Sequence, residues 1–153
     1  MPDTASEEVW FYHLERSTLE QVLPDLLQRT LKRGWRALVR TGDPERLEML
    51  DNLLWTFRDE TFLPHGVEGE GDEARQPVLL TTSDDNLNRA QALFLVDGAE
   101  AGGLDGFERR IDLFDGRDEV AVAAARLRWR AAKASGAVIA YWRQTEQGWE
   151  KQA

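Results

Sequence analysis

The sequence of 153 residues contains no cysteine, which excludes disulfides, thiol catalysis and thiolate metal sites. No apolar run approaches the roughly 18 residues of a membrane span, and the opening MPDTASEE is acidic and polar, with neither a basic start nor an apolar stretch behind it. A cytoplasmic protein is expected. Positive charge is scarce: 19 Lys and Arg face 28 Asp and Glu, for a formal net charge of -9 and a pI near 4.8. A field of that sign repels phosphate backbones, so contact with nucleic acid is expected to be indirect, through a protein partner.

The signatures of several chemistries are missing too. The chain has no GxxxxGK[ST] and no GxGxxG, and the first strand-to-helix turn, HLERSTLE, has no glycine to admit a phosphate. GEGDE at 69–73 would repel one. There is no GxSxG, and neither His13 nor His65 has a nucleophile beside it in sequence. His13 reads as a packed or surface residue of a strand rather than a base. His65 with Glu68 and Glu70 imitates a metal cluster, but one histidine with loop carboxylates reads better as a solvated acidic loop. No catalytic residue, cofactor or metal is expected.

What is present is an ordinary globular composition, 42% hydrophobic and 31% charged, of a length suited to one domain over 1–153. Val9–Leu14 reads as a buried strand. Ser17–Glu20 matches a capping box opening a helix whose stripe is Leu19, Val22, Leu23, Leu26, Leu27 and Leu31; Pro24 threatens a kink, and Gly34 ends it. Trp35–Thr41 is a strand, and Asp43-Pro44 starts a helix to about Trp55 through Leu47, Leu50, Leu53 and Leu54. Val78–Thr82, Leu93–Val96 and Arg110–Phe114 follow as strands, with an acidic, glycine-rich loop at 66–76. The last helix runs from about Asp118 to Ser135, with Val120, Ala124, Leu127, Ala131 and Ala134 as its core stripe, and Val138–Trp142 closes the sheet. The alternation predicts an α/β Rossmann-like sandwich on a mostly parallel sheet, lacking a phosphate loop.

Two features stand out. Residues 126–133, RLRWRAAK, carry four cations around one tryptophan with no acid; removing them from the formal -9 leaves -13 on the rest of the chain. At helical spacing Arg126, Trp129, Arg130 and Lys133 share one face and Arg128 points elsewhere. Basic residues near a helix end also complement its dipole, but four within eight residues exceed that need, and the face is expected to capture a local anion such as a carboxylate-ended peptide. The second feature is LLWTFRDETFLPHG at 53–66, where Trp55, Phe57, Phe62 and Leu63 crowd a helix end. Such residues serve equally as core or as the apolar centre of a protein interface.

The opening FYHL at 11–14, the LW…F-L-P-H…GEG pattern over 54–71, PVLLTT at 77–82, and R-x-x-W-R-x-x-K followed by Gly136 together resemble the chi subunit of bacterial DNA polymerase III holoenzyme. The match is weaker over 97–117 and after Trp142. The resemblance implies a non-catalytic accessory subunit of DNA replication that binds the acidic C-terminal tail of single-stranded DNA-binding protein. It also implies pairing with psi, which tethers chi to the clamp loader, and in some relatives a repair helicase as alternative partner. By the same resemblance Arg126, Trp129, Arg130 and Lys133 form the tail site, and Trp55, Phe62, Leu63 and Pro64 lie on the psi surface. The tail is a short acidic peptide ending in Pro-Phe with a free carboxylate. Guanidinium pairs suit the carboxylate, Trp129 gives the phenylalanine an apolar wall, and Lys133 meets the preceding acids. The rival readings are a small α/β enzyme or nucleotide binder with non-standard motifs, and direct single-stranded DNA binding by the basic face.

Overall fold

Eight strands alternate with three helices in a computed structural model that describes residues 8–56, 63–83, 85–100 and 106–152. In chain order these are β1 (Glu8–Leu14), α1 (Leu19–Lys32), β2 (Ala37–Arg40), α2 (Pro44–Thr56), β3 (Gly66–Val67), β4 (Val78–Thr81), β5 (Ala92–Leu95), β6 (Arg109–Asp115), α3 (Glu119–Ala134), β7 (Val138–Thr145) and β8 (Gly148–Lys151). The sheet order is β3-β4-β2-β5-β6-β1-β7-β8. Every pairing is parallel except β7 with β8. The expected α/β sandwich on a mostly parallel sheet is what forms, and no helix among the described residues is long and apolar enough to cross a membrane.

Strand periodicity divides the core into faces. Tyr12 and Leu14 of β1, Val39 of β2, Leu80 of β4, Phe94 of β5 and Leu113 of β6 point to the side covered by α1 and α2, where Leu23, Leu27, Leu50 and Leu54 are fully buried. Val9, Phe11 and Phe114 point the other way and are covered by α3. Leu38, Leu79, Leu93 and Leu95 complete a third cluster under Ala90, Ala99 and Phe107.

Local rules set the helix ends. The capping box of α1 is shifted by one residue from the Ser17–Glu20 expectation: the Thr18 N–H donates to Gln21 Oε1 at 2.9 Å, while Glu20 is drawn off to Arg46. Pro24 is buried and the helix runs through it unbroken. At the other end Gly34 takes a φ of +89°, and the N–H groups of Gly34 and Trp35 close on Leu31 and Thr30 carbonyls in a Schellman turn. Asp43 caps α2 by accepting from the Glu45 N–H at 3.0 Å.

The acidic stretch 66–76 is not a bare loop. It opens as β3 beside β4, and Glu73–Arg75 forms one 3-10 turn. Glu68 turns back to accept from the hydroxyls of Thr81 and Thr82 and from the Thr82 N–H at 2.6–2.9 Å. Burial raises its pKa and these bonds outweigh it, holding the carboxyl below its ordinary range.

Candidate functional site

Helix α3 starts on Asp118, whose carboxylate accepts from the N–H groups of Val120 and Ala121 at 3.0 and 3.3 Å. It meets the sheet through the buried Ala125 and Ala132, flanked by Val122 and the half-buried Trp129. This corrects the expected stripe: Val120 and Leu127 are 79% and 64% exposed, and the helix is turned by about 100°, one residue, from the predicted face. Ala125 and Ala132 pack in one cluster with Phe11 and Phe114 of the sheet, where small side chains on the helix complement large ones below.

The turn decides what each cation of 126–133 does. Arg128 faces inward and grips Asp112 of β6, Nε to Oδ2 at 2.5 Å and Nη2 to Oδ1 at 3.1 Å. Burial holds the Asp112 carboxyl above its ordinary range, and the Arg128 hydrogen bonds and charge offset only part of that rise. Arg126, Arg130 and Lys133 are exposed, and among the described residues no carboxylate pairs with any of them. Lys133 Nζ lies 4.9 Å from the Trp129 ring centre, a cation–π contact. The Trp129 indole N–H is buried without a hydrogen-bond partner among the described residues. The structure thus brings Trp129 and three cations to one edge of α3, with Trp129 set deeper than the cations.

Sequence reasoning did not connect this edge to β1 and β7. His13 Nδ1 lies 2.7 Å from the Tyr141 hydroxyl, and its Nε2 lies 3.2 Å from Glu15 Oε1, at a poor angle for a hydrogen bond. Glu15 also pairs with Arg143 at 2.8 and 3.0 Å. Burial lowers the His13 pKa, Glu15 opposes, and Arg143 and Arg126 add to the depression. Burial raises the Tyr141 pKa, with Arg126 the first opposing charge. A neutral His13 therefore accepts from the Tyr141 O–H. Its ring packs so near Gly116 that a Cβ there would lie 2.1 Å from the imidazole. The period-2 alternation of β1, which puts His13 on the Phe11 face, was the available signal.

A second region lies where a nucleotide would sit in an open α/β sheet, at the carboxyl ends of the strands. The crevice there measures about 560 Å³ and is lined by Ser17, Thr18, Arg46, Asp97, Asp115 and Arg117 among others. Arg46 bridges Asp97, at 2.7 Å, and Glu20 across its mouth. The turn after β1 does present three N–H groups in a row, from Glu15, Arg16 and Ser17, a geometry that binds anions. All three donate to one acceptor, Gln144 Oε1 of β7, at 3.2, 2.7 and 2.8 Å, and Gln144 Nε2 donates to Ser17 Oγ. The chain fills its own phosphate cradle with a neutral amide.

The other candidate surface surrounds the end of α2. Trp55 is 54% exposed and tilts against the His65 ring at 4.9 Å. His65 Nδ1 donates to the Leu63 carbonyl at 2.8 Å, and Nε2 meets Asp51 Oδ1 at 2.8 Å. His65 and Glu68 thus face different partners, and among the described residues no three His, Asp or Glu side chains converge as a metal site. Pro64 is half-buried. Leu63 requires a correction: at 1% exposure it is core, packed in the α1–α2 cluster, and presents no side chain to a partner. Phe57 and Phe62 lie outside the described residues.

Comparison with known proteins gives these surfaces a context. The family model described as DNA polymerase III chi subunit, HolC, matches residues 7–140. The chain is 27% identical over 85 residues to a probable DNA polymerase III subunit chi of Rickettsia prowazekii, covering 56% of this chain and 52% of that one. It is 32% identical over 62 residues to the DNA polymerase III subunit chi of Escherichia coli K12, 40% and 42% of the two chains. It is 29% identical over 93 residues to that of Pseudomonas aeruginosa, 61% and 64% of the two. The matched stretches thus span from under half to just under two thirds of these relatives. With the family model running through β1, α3 and into β7, the chain belongs to the DNA polymerase III chi subunit family.

Proposed function

We propose that this chain is a non-catalytic accessory subunit of DNA replication that holds the acidic C-terminal tail of single-stranded DNA-binding protein on the outer edge of α3. The observation that carries the reading is the trio Arg126, Arg130 and Lys133, exposed and without carboxylate partners among the described residues, around the half-buried Trp129. On a chain of net charge -9, three uncompensated cations beside an apolar wall suit one short anionic ligand rather than a long polyanion. The guanidinium groups meet the terminal carboxylate, the last phenylalanine lies against Trp129, and Lys133 meets the acids before it. The filled phosphate cradle and the Arg46 bridge speak against the nucleotide-binding rival.

On the same reading Trp55 and Pro64 form part of the surface for psi, which ties the chain to the clamp loader, or for a repair helicase in its place, and Phe62 is assigned to that partner by the resemblance alone. Leu63 supports that surface from the core.

The test is a titration with a labelled acidic peptide ending in Pro-Phe, beside the same peptide lacking its last residue. Saturable binding of the first and loss of the second is the expected result. Equal binding of the two, or binding of neither, overturns the reading. Co-purification of psi with the wild-type chain, lost on Trp55→Ala, tests the second surface.

A further inference from the structure

Residues 29–36 read RTLKRGWR, again four cations around one tryptophan with no acid. They form the last turn of α1 and the approach to β2, so they sit where the parallel strands begin, at the opposite end of the sheet from the crevice. A cavity of about 220 Å³ opens there, with Arg29, Arg33 and Arg109 at its rim, Trp10 and Trp35 as walls, and a floor that includes Leu26 and Phe94.

The rings and guanidinium groups interleave. Arg33 Cζ lies 4.2 Å from the Trp35 ring centre, and Arg109 Cζ lies 5.1 Å from Trp35 and 3.8 Å from Trp10. Glu8 pairs with Arg109 at 2.9 Å, which offsets that charge. Arg29 and Arg33 are exposed, and among the described residues no carboxylate pairs with either. Stacking on Trp35 holds the Arg33 fork in place before any ligand arrives, which lowers the ordering cost of binding. Burial raises the pKa of Tyr12 in the cavity wall, and the opposing charges are Arg109 and Arg29.

We propose that this cavity is a second anion site, separate from α3, that takes a short acidic segment of a partner protein by one apolar side chain, with flanking carboxylates on Arg29 and Arg33. Three observations favour peptide over nucleic acid. The faces of Trp10 and Trp35 are occupied by guanidinium groups, so a base has little ring left to stack on. The floor of the cavity includes Leu26, Phe94 and Ile111, an apolar surface that suits a hydrophobic side chain better than a sugar or a phosphate. The net charge of -9 repels a long phosphate backbone more strongly than a short segment with a few carboxylates.

The experiment uses a fluorescein-labelled peptide, Asp-Glu-Asp-Leu-Glu-Asp, with its C-terminus amidated so that it lacks the free carboxylate expected at α3. Wild-type chain is expected to bind it saturably, with binding about tenfold weaker for the R29A/R33A variant, about tenfold weaker when the peptide leucine is glycine, and within about twofold for R126A/R130A. Amide NMR spectra of the wild type are expected to show the Trp10 and Trp35 indole signals moving on titration, a readout that needs no variant. R29A/R33A should keep its far-UV circular dichroism and its affinity for the Pro-Phe peptide, so failure at one site leaves the other reading standing. The proposal is overturned if wild type shows no saturation by about 1 mM peptide. It is equally overturned if R29A/R33A binds as wild type does, if R126A/R130A alone loses binding, or if oligothymidylate displaces the peptide and moves the same indole signals.

Discussion

Arg128 of α3 holds Asp112 of β6 through two hydrogen bonds, at 2.5 and 3.1 Å, with the Asp112 side chain only 5% exposed. The pair removes one of four cations from the RLRWRAAK octet and turns it into a fastener between helix and sheet. Removing one partner leaves the other charge buried and unpaired. Arg128→Ala is therefore expected to destabilise the fold by about 3–5 kcal/mol, whereas replacing both residues with apolar ones of similar volume costs far less. Urea denaturation of the two variants checks this; equal losses would show that packing, not the charge, sets the cost.

The outward cations behave differently. Arg130 is exposed and pairs with no carboxylate among the described residues, so Arg130→Ala should leave stability within about 0.5 kcal/mol of wild type. Binding of an acidic peptide ending in Pro-Phe should weaken by about 1–3 kcal/mol, the range for a lost hydrogen bond to a charged group. Raising the salt should weaken wild-type binding further, and the variant's less, because one screened contact is gone. Calorimetric titration at two salt concentrations measures both effects.

Gln144 offers a test of the filled cradle. Its Oε1 is the shared acceptor of the N–H groups of Glu15, Arg16 and Ser17. Gln144→Ala should lower stability by about 1–3 kcal/mol, because a partly buried set of donors loses its acceptor. Inorganic sulfate or phosphate should then restore thermal stability in the variant and have little effect on wild type, since only the variant presents three free N–H groups to an anion. Equal response of both proteins to the anion would mean that the backbone closes over the gap.

Much of this was legible in the chain, for identifiable reasons. Val9–Leu14, the leucine stripe of α1, and Asp43-Pro44 followed by Leu47, Leu50 and Leu54 carry strong period and capping signals, and each element formed where expected. Short pairings did not announce themselves. β3 has two residues, and β8, GWEK, has no alternating apolar pattern because it is an exposed antiparallel edge beside β7. The α3 stripe was misread because hydrophobicity favoured Val120 and Leu127, while close packing on Phe11 and Phe114 favoured alanine. The basic face was visible in the sequence, but the Arg128–Asp112 and His13–Tyr141 contacts join residues 16 and 128 positions apart, and no local rule reaches that far.

His13 makes stability depend on pH in a calculable direction. Burial lowers its pKa below the ordinary 6.5, with Arg143 and Arg126 helping and Glu15 opposing. The folded state therefore favours the neutral ring, while the unfolded chain takes up a proton near 6.5. Between the depressed folded value and 6.5 the unfolded state binds more protons, so stability rises with pH across that window. Below it, the contribution is lost; above it, it is fully present. His13→Gln keeps polar atoms near Tyr141 and removes the titration, so its stability should stay flat where wild type declines on acidification. Denaturation midpoints of both proteins from about pH 7 down to about pH 5 decide the matter, and parallel curves would place the dependence on other groups. Binding an anionic tail near Arg126 should offset part of that cation's field at His13, so the midpoint of the imidazole titration, followed by NMR, is expected to move upward when the Pro-Phe peptide is added.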